Sequence, residues 1–150
     1  MSVVGATPAP AIRARSRAAV VLVALTLLFA LRVAGQALVA FFDVGWLPPM
    51  EAWYSGLLPY PILLPTQLAI LAGQVTLDWR VWRRGGLAPR PRLARGLRGL
   101  SYVYALAMLG RLVLTRTHVI PIAFHWVLAG WLYTLGVVSD APRTPRAADR

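Results

Sequence analysis

Arg32, Gln36, Gln67, Arg111 and His125 all fall within long apolar stretches of this chain, where hydrocarbon makes polar side chains costly and keeps them from facing lipid. Two guanidiniums, two carboxamides and an imidazole make a donor-rich set. Arginine's planar fork matches carboxylate and phosphate. The chemistry these residues could do is recognition of an anionic or carbonyl-bearing group, such as a lipid headgroup, a carboxylate or a quinone. No acid lies at their depth, and the available counter-charges are Asp43 and Glu51, just beyond the outer ends of the apolar runs. The plainer alternative is that these side chains are polar contacts holding a small helical bundle together.

Other chemistries find less support. His118 and His125 stand seven residues apart, about 10.5 Å along a helix axis, so they cannot both ligate one ion. There is no third histidine to complete a pair. A b-type haem with a single ligand, or a quinone, near His125 is the redox alternative. Glu51 and His125 are the acid–base candidates near the outer surface, and no GxSxG, HExxH or P-loop spacing is present. The chain has no cysteine, which removes disulfides, thiolate metal sites and cysteine nucleophiles together. No cofactor or metal is expected on the main reading, which leans away from an enzyme.

The elements that must position these residues follow from composition. In 150 residues, 58% are apolar and 14% charged, too apolar for a soluble fold of this size. The apolar residues are gathered into runs near the length of about 20 that a bilayer core demands. Four spans are expected, over about 18–42, 57–78, 99–115 and 118–139. They make an all-α integral membrane protein whose two antiparallel hairpins form a small bundle. Residues 1–17 and 140–150 read as disordered tails. Residues 18–35 also have the pattern of a signal peptide, with cleavage before Gln36 as the rival reading. Pro59, Pro61 and Pro65 should kink or unwind the start of the second span. Trp46, Trp53 and Tyr54 read as an outer aromatic belt, and Trp79 and Trp82 as an inner one.

Spacing turns the polar residues into stripes. Arg32, Gln36, Val39 and Asp43 share one helical face. So do Gln67, Leu71, Gln74 and Asp78, then Tyr104, Met108, Arg111 and Thr115, and finally His118, Ile122, His125 and Ala129. With these stripes turned inward, Arg32, Gln36, Gln67, Arg111 and His125 surround one site in the middle to outer membrane.

Orientation follows from the arginines. All 16 basic residues are arginine, and the formal net charge is +11. Seven of them fall in the segment 80–98, which reads as a loop broken by Gly85, Gly86, Pro89 and Pro91. Three precede the first span, and the first external loop has none. The positive-inside rule then places both termini and the 80–98 segment in the cytoplasm of a cell with an inner membrane. The arginines sit where topology demands them, which argues against nucleic acid as a partner. The expected partners are the bilayer, anionic lipid at 80–98, and a second copy or another membrane protein. Trp46-Leu47-Pro48-Pro49 and the tryptophan content resemble the tryptophan-rich sensory proteins over those few residues alone, and that family's five spans do not match the four read here. The function expected is a non-enzymatic binding, transport-accessory or assembly role.

Overall fold

The structure is a computed structural model that describes residues 9–53, 59–84, 87–115 and 119–140. Among these residues it is all-helical: α1 (Ala9–Phe42), α2 (Met50–Trp53), α3 (Tyr60–Arg84), α4 (Pro91–Thr115) and α5 (Val119–Asp140). Four of the helices are long and apolar enough to cross a membrane, over Arg17–Phe42, Tyr60–Arg83, Pro91–Leu114 and Val119–Asp140.

Three helices extend well beyond the expected spans, for one reason. Helix α1 reaches back to Ala9, so residues 9–17 are helical where a disordered tail was expected. Helix α3 runs on through Arg80 and Arg83 to Arg84, and α4 begins at Pro91. Most of the expected 80–98 loop is therefore helix, with Arg92, Arg95 and Arg98 in the first turns of α4. Hydropathy marks where lipid ends, whereas a helix made of arginine, a good helix former, continues into water until glycine or proline stops it. Proline is suited to the first helical position, which makes Pro91 a starter here rather than a breaker. Pro61 lies in the first turn of α3 and the helix continues across Pro65, so from Tyr60 onward the start of the span is not unwound. The amides of Ile62 and Leu63 both bond the Pro59 carbonyl. Of the expected disordered tail 140–150, Asp140 is instead the last residue of α5, and 141–150 lie outside the described residues.

The packing order is α3–α1–α5–α4. Helix α5 packs along both α4 and α1, and α1 packs along α3. Cross-helix bonds set the directions: Gln67 to Gln36 and Thr26 to Asp78 make α3 antiparallel to α1. Ser101 to the Ala129 carbonyl, 2.7 Å, and Trp126 to the Ala105 carbonyl, 3.2 Å, make α5 antiparallel to α4.

Small residues set how close α4 and α5 come. Ala94 and Ser101 face Gly136 and Ala129, each pair seven residues apart, and a Cβ on Gly136 would lie 3.0 Å from the Ala94 carbonyl oxygen and 2.9 Å from Arg98 Cγ. At that end the Arg90 amide bonds the Ser139 carbonyl and Arg98 pairs with Asp140 at 3.1 Å. An apolar cluster of Ala19, Leu22, Val81, Trp131, Leu135 and Val138 fills the same end of the bundle.

The polarity of α3 is the reverse of a soluble helix. Its buried seam is Gln67, Gln74, Asp78 and Val81, while Ile62, Leu68, Ile70, Val75, Trp79 and Trp82 are exposed. In water that arrangement would leave a large apolar patch unprotected. In a bilayer it puts apolar surface in lipid and the costly groups against protein.

At the opposite end, α1 stops at Asp43, whose φ of 46° is left-handed. Trp53 of α2 is buried with its six-membered ring over Gly35, where a Cβ would come within 2.9 Å, and its indole donates to the Pro48 carbonyl at 2.9 Å. Trp53 therefore packs inward and does not join Trp46 in an interfacial belt, because glycine at position 35 leaves a recess in α1 that only a flat ring fills. Tyr54 lies outside the described residues.

Candidate functional site

A cavity of about 100 Å³ lies between α1, α3, α4 and α5, toward the Asp43 end of the helices. Helix α1 contributes Phe29 and Arg32, α3 contributes Gln67, α4 contributes Tyr104, and α5 contributes Phe124 and His125. Helices α3 and α4 both line this cavity, although α3 packs along α1 and α4 along α5.

Arg32 reaches this position from the seam of α1 that also buries Leu22, Phe29, Val33 and Gln36. Its guanidinium carbon stands 5.8 Å over the Phe124 ring, a cation–π contact that partly replaces lost hydration. Its Nε is buried without a hydrogen-bond partner. Gln67 donates its amide to Gln36 Oε1 at 3.1 Å, leaving Gln67 Oε1 and Gln36 Nε2 buried and unbonded. A polar group sealed from water in this way costs more than one never made polar.

His125 bonds the Pro121 carbonyl one turn back through Nδ1. A carbonyl only accepts, so Nδ1 carries a proton, and when the ring is neutral Nε2 holds a lone pair. The Tyr104 ring lies 5.5 Å from the imidazole.

The structure thus brings Arg32, Gln67 and His125 to one cavity, with Gln36 bonded behind Gln67. Arg111 is half-buried and does not line the cavity. Asp43 and Glu51 are exposed, and among the described residues neither forms an ion pair with Arg32. His118 lies outside the described residues, and no group of three metal-ligating side chains exists among those that are described.

A second polar centre lies toward the arginine-rich end. Asp78 is buried, accepts the Thr26 hydroxyl at 2.6 Å through one oxygen and the Trp131 indole at 3.0 Å through the other, and so joins α1, α3 and α5. Gln74, one turn before it, is 2% exposed with both ends of its amide unbonded. The spacing of Gln67, Gln74 and Asp78 was readable, whereas Thr26 and Trp131 were not singled out. The signal for Thr26 is its place on the same seven-residue repeat as Phe29, Val33 and Gln36; none marks Trp131 among six tryptophans.

Comparison of the chain with protein-family models, with curated proteins and with solved structures finds no match.

Proposed function

We propose that this is a non-enzymatic membrane protein that binds the anionic end of a small amphiphile at Arg32. The observation that carries this reading is the unpartnered Arg32 Nε, buried beside a cavity that Arg32 lines together with Gln67 and Tyr104. An arginine at that depth with no acid beside it calls for an anion, and a carboxylate or phosphate oxygen supplies one. About 100 Å³ holds such a head and not a whole lipid, so the tail would lie outside it. A transport-accessory or assembly role would use the same contact.

In this reading the two hairpins span an inner membrane, with both termini and the arginine-rich end in the cytoplasm. The support is the segregation of charge: Arg17, Arg80, Arg83, Arg90, Arg92, Arg95 and Arg98 belong to one end of the helices, and Asp43 and Glu51 to the other.

The test is the melting temperature of the purified protein in a neutral detergent with dodecanoate or dodecanol. Ligand that binds only the folded state raises it. Dodecanoate should raise it and dodecanol should not, and Arg32→Gln should remove the shift while the helical spectrum stays intact. No shift in the wild type with either compound, or equal shifts with both, would refute anion binding at Arg32.

One observation favours a second reading, a quinone held near His125: the lone pair of Nε2 can accept from a quinol hydroxyl, and Arg32 can donate to a quinone carbonyl. A short-tailed benzoquinone in the same assay separates the two readings, because His125→Phe should abolish its effect and leave that of dodecanoate.

A further inference from the structure

On the face of the α1–α3 pair turned away from α5, a second hollow of about 330 Å³ runs along the seam between the two helices. Its walls are Val23 and Leu27 of α1 and Val75, Trp79 and Trp82 of α3, with Thr26 and Asp78 as its floor. The floor is chemically closed, since one Asp78 oxygen accepts from Thr26 and the other from Trp131. What remains on view is almost wholly hydrocarbon and indole. Leu27, Val75, Trp79 and Trp82 are each more than half exposed.

The chemistry changes at the mouth. The Arg83 guanidinium carbon lies 4.7 Å over the ring of Trp79, so the tryptophan that walls the hollow carries a cation on its face. Arg80 and Arg84 share these last turns of α3, and after Asp78 the helix carries no acid. An apolar trough that ends in indole and guanidinium repeats, in order, the parts of a phospholipid: acyl chain, interfacial glycerol and phosphate.

We propose that this hollow binds one anionic phospholipid, with an acyl chain along Val23, Leu27 and Val75, and the phosphate at Arg83 beyond Trp79. The site needs the protein to lie in a membrane but owes nothing to the Arg32 cavity, with which it shares no lining residue.

The test is native mass spectrometry of the full chain, purified in a neutral detergent and incubated with equal amounts of phosphatidylglycerol and phosphatidylcholine of identical chains. One retained lipid is expected, favouring phosphatidylglycerol by about fivefold or more, the preference one arginine near the bilayer surface confers. Arg83→Gln should bring the ratio close to one. Val75→Trp, or Leu27→Trp from the other wall, should reduce retention of both lipids by filling the trough, and both replace side chains that already face outward. Excess glycerol phosphate should not displace the lipid, because the chain supplies much of the hold. Arg32→Gln should leave retention unchanged, which separates this site from the ligand proposed above. Equal retention of the two lipids by the wild type, an unaltered ratio in Arg83→Gln, unaltered retention in both tryptophan variants, or full displacement by glycerol phosphate would each overturn the proposal.

Discussion

The indole N–H of Trp131 donates to Asp78 at 3.0 Å and ties α3 to α5 across the face of α1, whose Thr26 occupies the other carboxylate oxygen. A buried carboxylate with two donors is satisfied, whereas either donor left alone is not. Asp78→Ala should therefore destabilise the bundle by about 1–3 kcal/mol, the cost of orphaned buried donors. Asp78→Asn keeps one carbonyl acceptor and should cost about half as much. In a double-mutant cycle, Asp78→Asn with Trp131→Phe should show coupling of about 0.5–2 kcal/mol, the range for bonds between membrane helices. Denaturation of the purified protein in detergent checks all three values.

The bond between Gln36 and Gln67 leads to a different expectation, because each amide also holds an atom without a partner. Gln36→Leu alone should destabilise by about 1–3 kcal/mol, since it strands Gln67 completely. Replacing both with leucine should recover most of that loss, as removing both partners of a buried bond is often nearly neutral. Recovery is read as the melting temperature of the double variant against the two single ones.

The glycines of α4 and α5 differ in what surrounds them. A methyl on Gly136 meets Arg98 and the Ala94 backbone, whereas Gly99 and Gly110 have nothing within 4 Å. Gly136→Ala should lower stability by about 1–3 kcal/mol through overpacking. Gly110→Ala should be neutral or raise it by up to about 1 kcal/mol, through the lower helix cost of alanine. Melting temperatures of the two variants in one detergent make the comparison.

Sidedness can be read directly, because the protein has no cysteine to remove first. In intact cells, a membrane-impermeant maleimide should label Glu51→Cys and leave Arg95→Cys unlabelled until the membrane is opened. The reverse pattern would place the arginine-rich end outside and contradict the charge rule.

The legible part of this fold was what hydropathy and periodicity carry. Four apolar runs correspond to four helices long enough to span, and the spacing of Gln67, Gln74 and Asp78 defines the seam that α3 buries. Periodicity assigns a residue to a face but not the face to a neighbour. Hence the order α3–α1–α5–α4 was not readable, nor was the replacement of Arg111 by Tyr104 on the cavity wall. Helix ends at 84 and 91 were hidden because arginine is both a good helix former and a mark of the membrane surface. Trp53 was misplaced because the recess that receives it is created by an absent side chain, Gly35, eighteen residues earlier.

Helix α5 lies between α1 and α4 and packs along both, yet in chain order it is the last of the described helices. Domains form from the amino-terminal side during synthesis, so α1 and α3 can pair through Thr26 and Asp78 before α5 exists, whereas α4 must wait for α5, its extensive neighbour among the described residues. Until then Trp131 is missing from Asp78, and Ser101 faces lipid without the Ala129 carbonyl. The nascent chain is therefore most exposed to degradation between completion of α4 and arrival of α5. Variants that weaken the Gly136 contact should lower the amount of protein in the membrane before they alter any ligand it holds.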